Sequence, residues 1–423
     1  MSVRTLGINH IARIEGHGSV AIDVSPSGEL HVDIHVEEPT RYFEQMIKGR
    51  HYTEVPYIAS RICGICSATH AVTDILAIED AFDIEVSQRT KDLRKLLLHG
   101  SFLQNHATHL GILASPDYVG TDSVFEFEGN TKEFLALGLE IKACGNELCN
   151  MIGGRAIHPI TAVVGGFTSE PSKDAMLAMA DKLEQLVEKC VSFADGFIGF
   201  SVPDFKTHGD MLALVSDEEY AVVGGVLKTK LSGYEFEPSE FKEYIVSEAT
   251  GASTSLLSHL KNSSTYVTGP IARLNHSWDK LTKNARIVAA KAGFRPFNAQ
   301  MYCNNICRAI ELVDTADRCS DLLRNLALTD GDSYPKKITP KGGTGFGCTE
   351  APRGTLFHSL SFDENGICTG GTILTPTAQN IANLEADVRA YAPIILDMDD
   401  KSFRLLIEKL VRAYDPCLSC AVH

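Results

Sequence analysis

Cysteines stand in two pairs of the same spacing, one near each end of the chain. Residues 63–66 read Cys-Gly-Ile-Cys and residues 417–420 read Cys-Leu-Ser-Cys. The first pair stands where a helix is predicted to begin, and the unpaired amides and positive dipole at that place stabilise thiolates. The second pair follows Pro416, which fixes the direction of the chain. Together the two pairs offer four thiolates to one soft metal site.

A structural zinc ion or a rubredoxin-like iron is one explanation of the two pairs, because four cysteines in two short pairs are typical of such sites. Zinc ribbons close short local loops, however, whereas these pairs lie at opposite ends of the sequence. His70 stands one helical turn after Cys66 and is predicted to hydrogen-bond a metal-bound sulfur. The sequence given stops at His423, three residues after Cys420, which predicts a tail packed into the interior.

Composition and charge narrow the class of protein. The 423 residues include 44% hydrophobic and 22% charged residues, which is ordinary for a globular chain. Acidic residues outnumber basic ones by 54 to 39, so nucleic acid is not expected as a partner. The chain shows neither a signal peptide nor a stretch apolar enough for a transmembrane segment. We therefore expect a cytoplasmic protein whose twelve cysteines serve metal chemistry and packing rather than a disulfide scaffold.

Alternation of apolar and polar residues predicts a β-hairpin towards each end of the chain. The first covers residues 19–36 and turns at Pro26-Ser-Gly. The second pairs residues 355–362 with 367–374 around Asn365-Gly366, because this dipeptide is the strongest short hairpin signal. Its pairing would return residues 376–377 to the neighbourhood of residues 352–353, so both ends of the hairpin could supply one site.

Helical periodicity dominates between the hairpins. Helices are predicted at residues 68–82, 91–113, 131–151, 173–197, 279–292, 298–326 and 401–413. They predict an α+β fold, mainly α, with a central bundle of long helices and peripheral β-hairpins. We expect one domain over residues 1–423, made of an N-terminal β region (1–55), a helical bundle (56–330), and a hairpin with a C-terminal metal-binding region (331–423).

Both cysteine motifs resemble the signatures of nickel-iron hydrogenase large subunits. The residues are Arg-Ile-Cys-Gly-Ile-Cys-Ser-Ala-Thr-His at 61–70 and Asp-Pro-Cys-Leu-Ser-Cys-Ala-Val-His at 415–423. Arg-Ile-Glu-Gly-His at 13–17, Glu-Ala-Pro-Arg-Gly at 350–354 and Thr-Pro-Thr at 375–377 also resemble family motifs, in family order. The resemblance covers the whole chain and points to the cytoplasmic, sulfhydrogenase-like or NAD(P)-linked branch. A chain that stops at the final histidine resembles the matured form of the family.

The resemblance implies reversible heterolytic cleavage of H2 at a Ni-Fe centre. Cys63 and Cys417 would be terminal nickel ligands, while Cys66 and Cys420 would bridge nickel and iron. The iron of this family also carries carbon monoxide and cyanide. The residues that match the pocket around those ligands are Pro352, Arg353 and Thr377. A guanidinium and a hydroxyl can donate hydrogen bonds to cyanide nitrogens, which agrees with this match.

The same resemblance implies a proton route and a second metal site. Cys417 would act as the base, and Glu15 would be the proton relay, since a carboxyl near a metal site can be tuned to accept and donate. Glu44 and His423 resemble ligands of a magnesium-type site, with the carbonyl of Ile381 as a weaker third ligand. A hard cation suits such oxygen ligands.

One departure from the family pattern lies in the helix that follows the first cysteine pair. Many members have an aspartate where this chain has Asn105, which leaves in doubt a charged contact to Arg353 from that helix. Asp415 is then the residue expected to pair with Arg353.

Partner chains are expected because the sequence has one redox centre and no dinucleotide fingerprint. We expect an Fe-S small subunit together with further NAD(P)-, ferredoxin- or F420-linked electron-transfer subunits, with H2 as substrate. Two rival interpretations remain. The quinone-site subunit of respiratory complex I shares the fold but lacks both cysteine pairs, and a zinc or iron scaffold would need the pairs only for structure.

Overall fold

The computed structural model describes residues 4–5, 7–25, 30–250 and 253–422. The helices are α1 Phe43–Ile47, α2 Val55–Ala59, α3 Ser67–Phe82, α4 Gln88–Thr108, α5 Ser115–Val119, α6 Gly129–Gly153, α7 Lys173–Ile198, α8 Phe241–Tyr244, α9 Pro270–Ser277, α10 Lys283–Lys291, α11 Asn304–Leu328, α12 Pro376–Ile395, α13 Asp400–Tyr414 and α14 Leu418–Ala421. The strands are β1 Arg4–Thr5, β2 Gly18–Val24, β3 Leu30–Val36, β4 Ala162–Val163, β5 Gly166–Phe167, β6 Asp210–Val215, β7 Val226–Thr229, β8 Glu235–Phe236, β9 Ile245–Ala249, β10 Leu256–Leu260, β11 Tyr266–Thr268, β12 Gly343–Ala351, β13 Gly354–Phe362 and β14 Cys368–Leu374.

Four long helices, α4, α6, α7 and α11, form the central bundle, with α11 packed on α7 and α4, and α6 packed on α4. Ser87 caps α4 by accepting a hydrogen bond from the amide of Thr90, and Ser172 caps α7 in the same way. Gly145 lets α6 approach α4 closely, because a Cβ atom there would lie 2.7 Å from the Gln104 nitrogen. The predicted α+β fold with a central bundle of long helices is confirmed.

Both predicted hairpins are present. Strands β2 and β3 pair antiparallel in register from Gly18↔Val36 to Val24↔Leu30, while the turn predicted at residues 26–28 lies outside the described residues. Strands β13 and β14 pair antiparallel, and Gly366 in their turn has a φ of 76°. The hairpin carries an unexpected third strand, β12, so that Pro352 and Arg353 form the tip between β12 and β13.

Strand β12 lies directly on helix α3, which carries the first cysteine pair at its start. Two glycines make this contact close. A Cβ atom at Gly347 would lie 2.0 Å from the carbonyl oxygen of Thr73, and one at Gly345 would lie 2.1 Å from that of Ala77. The hairpin and the helix are therefore fixed against each other, which positions the Arg353 tip relative to the cysteines.

Several predicted boundaries were wrong. The helix expected at 279–292 is interrupted, because a 3-10 turn ends at Lys280 and Thr282 caps α10 through the amide of Ala285. Residues 210–268 carry strands β6 to β11 inside the range expected to be helical bundle. Helix α12 was not predicted, and its first nine residues are all buried, so they show no single apolar face. The division of the chain into three regions stays a prediction.

Within the described residues, no helix combines the length and the apolar character needed to cross a bilayer.

Candidate metal centre

All four cysteines of the two pairs converge on one buried place. Their sulfur atoms lie within 4.8 Å of one another, and each side chain is almost fully buried. The sulfurs of Cys63 and Cys417 are 3.5 Å apart, as are those of Cys66 and Cys420. This arrangement excludes two separate local metal sites, because each pair supplies half of one sulfur cluster.

The first pair is held at the start of helix α3. Cys63 follows a short 3-10 turn at Ser60–Ile62 and has extended backbone, whereas Cys66 is the N-terminal cap of α3. The sulfur of Cys63 accepts hydrogen bonds from the amides of Ile65 and Cys66, at 3.3 and 3.4 Å. A helix start therefore supplies donors to this sulfur, as the sequence predicted.

The second pair is held by the turn after helix α13. Asp415 ends that helix with a φ of 53°, and Cys417 begins the short helix α14. The amide of Cys417 donates to Thr377 Oγ1 at 3.0 Å. Arg41 bridges the pairs, because its Nη2 donates both to the Ile62 carbonyl, at 2.7 Å, and to the Ser419 carbonyl.

Thiol ionisation in this cluster is strongly uneven. The hydrogen bond with Cys417 holds the pKa of Cys63 well below its usual range, whereas burial raises the pKa of Cys417 well above it. Four thiolates cannot coexist in a buried place without a compensating positive charge. A metal ion supplies that charge, since a coordinated thiol loses its proton.

Glu15 reaches the cluster from the N-terminal segment. Its Oε2 accepts a hydrogen bond from the Cys417 thiol at 3.0 Å, and its Oε1 accepts one from the Ser419 hydroxyl. The backbone reinforces this contact, because the Leu418 amide donates to the Glu15 carbonyl at 2.9 Å. Glu15 is only half-buried, so its carboxyl lies between the sulfurs and the surface.

The segment that carries Glu15 is fastened by one buried carboxylate. Asp117 binds Arg13 at 2.5 Å and both of its oxygens bind Arg412 of helix α13. Arg412 also donates to the Ala12 carbonyl at 3.0 Å. Gly16 has a φ of 85°, and a Cβ atom there would lie 2.9 Å from the Leu418 Cβ. The motif at residues 13–17 therefore packs closely on the second cysteine pair.

Arg353 projects from its hairpin tip towards the sulfurs. Its Nε donates to the Asp415 carbonyl at 2.8 Å, and its Nη2 lies 3.1 Å from Asp415 Oδ1. Its Nη1 is buried and has no hydrogen-bond partner among the described residues. Burial opposes ionisation of Asp415, but Arg353, His109 and Arg308 hold the pKa of its carboxyl well below the usual range. The expected Asp415–Arg353 pair is present, and Arg353 keeps one donor to spare.

A small cavity of about 280 Å³ adjoins the sulfurs. It is lined by Cys66, His70, Ala351, Arg353, Leu356, Pro376, Thr377, Cys417 and Cys420. The second hairpin brings residues 376–377 beside Arg353, as its register predicted. Pro352 does not line the cavity, since its carbonyl instead accepts from Arg273 Nη2 at 3.1 Å.

Asn105 and His70 are both fully buried. The Asn105 side chain is 1% exposed, and neither its nitrogen nor its oxygen has a hydrogen-bond partner among the described residues. His70 lies one turn along α3 from Cys66, but its Nε2 is 4.0 Å from the sulfur of Cys420 rather than that of its sequence neighbour.

The second predicted metal site is only partly described. Glu44 Oε1 accepts from the amide of Ile373 at 2.8 Å, and Ile381 is buried in helix α12. The His423 prediction lies outside the described residues. The preceding residue, Val422, is buried, and its carbonyl accepts from the Arg41 amide at 3.0 Å.

Sequence comparison decides the family. A family model described as nickel-dependent hydrogenase matches residues 41–140 and 249–423. The chain is 32% identical to the alpha chain of sulfhydrogenase 1 from Pyrococcus furiosus, covering 98% of this chain and 97% of that relative. The chain belongs to the nickel-dependent hydrogenase family. It is therefore an oxidoreductase that acts on H2, and the resemblance found from the motifs is confirmed.

Two further comparisons agree with this family. The chain is 30% identical to a chain of an F420-non-reducing hydrogenase from Methanococcus voltae, covering 99% of this chain and 94% of that relative. It also resembles a solved structure of an NAD+-reducing [NiFe]-hydrogenase in the H2-reduced state, with a TM-score of 0.88, 26% identity and 99% of each chain covered.

Sequence reasoning missed a buried network behind the Arg353 tip of this hydrogenase. Arg273 binds Glu311 through Nε and Nη2, at 2.7 and 2.8 Å, and Glu350 through Nη1 at 2.8 Å. Arg273 also donates to the carbonyls of Ala351 and Pro352, at 2.9 and 3.1 Å. All its N–H groups are thus used to hold the backbone next to Arg353. Arg273 carried no usable signal, because its partners are distant in sequence.

Proposed function

We propose that this chain is the catalytic subunit of a nickel-iron hydrogenase, with a Ni-Fe centre held by the four converging cysteines. The carrying observation is the convergence of four sulfurs within 4.8 Å, beside a buried arginine with an unused donor. Such a soft sulfur cluster fits nickel and iron. The bound centre would supply reversible heterolytic cleavage of H2, and the residues around it would handle orientation and protons.

In this proposal Cys63 and Cys417 are terminal nickel ligands, and Cys66 and Cys420 bridge nickel and iron. The cavity supports this division, because it is lined by Cys66 and Cys420 but not by Cys63. Iron with its small ligands would lie on the cavity side, against Arg353 and Thr377.

Carbon monoxide and cyanide on the iron are part of the proposal. Arg353 Nη1 is a buried donor without a protein acceptor among the described residues. Thr377 Oγ1 accepts from the Cys417 amide, which leaves its own hydrogen available. Two donors thus face a cavity whose other walls include the apolar side chains of Ala351, Leu356 and Pro376.

Proton transfer is assigned to Cys417 and Glu15. The Cys417 sulfur and the Glu15 carboxylate are 3.0 Å apart, which is within direct transfer distance. Glu15 is half-buried and can pass the proton towards solvent. Ser419 fixes the carboxylate through its amide, at 3.2 Å, and its hydroxyl.

A magnesium-type ion bound by Glu44, the Ile381 carbonyl and His423 is a further part of the proposal. Glu44 Oε1 accepts from the backbone of β14 and its carboxylate lies near the second cysteine segment through Arg41 and Val422. Oxygen ligands of this kind suit a hard cation.

The chain is proposed to work with an Fe-S small subunit together with further NAD(P)-, ferredoxin- or F420-linked subunits, in the cytoplasm. The named relatives support this, since one is an iron-sulfur subunit of an F420-non-reducing hydrogenase and one structural neighbour is an NAD+-reducing hydrogenase. Next to the first cysteine pair, Tyr57, Ile157 and Ile160 are 38%, 46% and 39% exposed. We assign this apolar face to the Fe-S partner.

Metal analysis with infrared spectroscopy tests the proposed centre. We expect nickel and iron in comparable amounts and absorption bands of iron-bound carbon monoxide and cyanide. Cys420→Ser should abolish nickel retention, whereas Cys190→Ser, which alters a buried thiol outside the cluster, should leave both metals bound. Stoichiometric zinc without the infrared bands would refute the proposal and support the scaffold interpretation.

A further inference from the structure

Three buried side chains form a chain of contacts that leads away from Cys420. His70 Nε2 lies 4.0 Å from the Cys420 sulfur, at the outer limit for a hydrogen bond to sulfur. His70 Nδ1 lies 3.1 Å from His358 Nε2, and His358 Nδ1 lies 2.5 Å from Asp74 Oδ1. Each of the three is at most 1% exposed. The proposed proton route through Glu15 uses none of them.

Two packed elements hold these side chains. His70 and Asp74 are four residues apart on helix α3, so they share a helical face. His358 comes from strand β13, which contacts α3. The three groups are therefore held by the same helix and sheet that position the cysteines and Arg353.

Hydrogen counting limits how this chain can be protonated. A neutral imidazole has one N–H donor and one acceptor nitrogen. If Asp74 were ionised and both histidines neutral, His358 would donate to Asp74 and His70 would donate to His358. His70 Nε2 would then present a lone pair to the sulfur of Cys420. A metal-bound thiolate has only lone pairs to offer, so this arrangement is repulsive.

One additional proton reverses the direction of the chain. It can reside on the Asp74 carboxyl or on the His358 imidazole, and in either case His358 Nε2 carries a hydrogen. His358 then donates to His70 Nδ1, and His70 Nε2–H faces the Cys420 sulfur. Two imidazoles in series thus need the opposite protonation from the single carboxylate-oriented histidine found at many metal sites.

We propose that Asp74 is a positioning residue that shares one proton with His358 and thereby fixes His70 as a hydrogen-bond donor to the Cys420 sulfur. This rests on the proposed metal-bound thiolate. Burial raises the pKa of Asp74 well above its usual range. Its Oδ2 is buried without a hydrogen-bond partner among the described residues, which an isolated carboxylate would tolerate poorly. The 2.5 Å contact also fits a strong, charge-assisted hydrogen bond.

Infrared spectra of the metal-loaded protein test the role of Asp74. Asp74→Leu removes the shared proton, so His70 no longer has a fixed donor at Cys420. More electron density should remain on the sulfur and the iron, which should lower the stretching frequencies of carbon monoxide and cyanide. H2 turnover should fall about three- to tenfold, with the KM for H2 unchanged. Asp74→Asn keeps a donor at this place and should retain the wild-type bands.

Two further variants keep the test decisive. His358→Phe preserves the ring contact with His70, whose centroid is 5.3 Å away, but removes the donor, so it should give the same shift even if Asp74→Leu fails to load metal. Asp387→Asn changes a buried carboxyl elsewhere and should move no band.

The possible failures are distinguishable. A wild-type protein without these bands would overturn the proposed Ni-Fe centre itself. Wild-type bands that stay fixed in a fully loaded Asp74→Leu or His358→Phe protein would overturn only the role of Asp74. A shift to higher frequency, or a shifted Asp74→Asn spectrum, would likewise show that His70 does not donate as inferred.

Discussion

Glu15 and His70 contact different sulfurs of the same cluster in contrasting surroundings. Glu15 touches Cys417, is half-buried and has hydroxyl and amide donors around it. His70 lies against Cys420, is 1% exposed and continues into His358 and Asp74, which are fully buried. The difference indicates that protons leave through the half-open side, whereas the closed side fixes the electronic state of a sulfur. Exchange with solvent needs access, and a fixed hydrogen bond needs exclusion of water.

The largest expected effect is on the half-open side. Glu15→Gln keeps the size and hydrogen bonding of the side chain but removes its ability to titrate. H2 oxidation and isotope exchange with water should both fall by about 10²–10⁴-fold, while nickel and iron stay bound. Glu15→Asp should keep part of the activity, because a water can fill the gap.

Glu37→Gln is the matched control, since Glu37 is a neighbouring carboxyl that hydrogen-bonds Ser19. Unchanged turnover in a fully loaded Glu15→Gln protein would show that protons leave by another route, and the comparison between the two sides would collapse.

A smaller effect is expected on the closed side. His70→Leu removes one hydrogen bond to a charged sulfur, which is worth about 1.5–3 kcal/mol, so turnover should fall roughly tenfold to 100-fold. Both metals should remain bound. The ratio of isotope exchange to turnover should match the wild type, because the proton route is intact. Turnover kept with exchange lost would instead make His70 part of the proton route.

Ser419→Ala should have a weaker effect than either. The variant removes the hydroxyl that donates to Glu15 Oε1 but leaves the amide that donates to Oε2 at 3.2 Å. Loss of one neutral donor is worth about 0.5–1.5 kcal/mol, which corresponds to a fall of roughly twofold to tenfold in turnover. Ser192→Ala, on the exposed side of helix α7, should change nothing. A loss as large as that of Glu15→Gln would mean that Ser419 itself carries the proton.

Asp387 should affect stability and its pH dependence but not turnover. It is 2% exposed and accepts from the Tyr414 hydroxyl at 2.6 Å, and burial raises its pKa to about 7. The stability that its neutral form contributes is present below the pKa of the unfolded chain, about 4, and is lost as pH rises through 7.

Asp387→Asn cannot ionise, so its stability relative to the wild type should rise between pH 5 and pH 8, by at most about 4 kcal/mol over the full range. Thermal unfolding of both proteins at the two pH values measures this. Equal pH dependence of the two proteins would contradict the raised pKa. Lost turnover would place Asp387 within the functional network and blur the contrast with the sulfur-contacting groups.

Local patterns predicted much of the fold and of the site. The long helices at residues 68–82, 131–151 and 173–197 were placed within a few residues of the observed bounds, because one apolar face gives a clear period. The Asn365-Gly366 turn set the register that brings Thr377 to Arg353. Helix α12 was missed because polar residues such as Gln379 and Asn383 are buried in it and satisfied by distant partners.

By itself, the sequence determined the chemistry of the centre. Two cysteine pairs, a histidine one turn after the first, and the motifs around Glu15 and Arg353 specified a soft metal site and its family, because residue type and short spacing fix ligand chemistry. Tertiary structure alone decided which sulfur each neighbour touches. His70 contacts Cys420 rather than Cys66, and Asp74, His358 and Arg273 join the site through contacts between elements far apart in the chain. Local periodicity cannot encode such contacts, since they depend on how whole helices and strands pack.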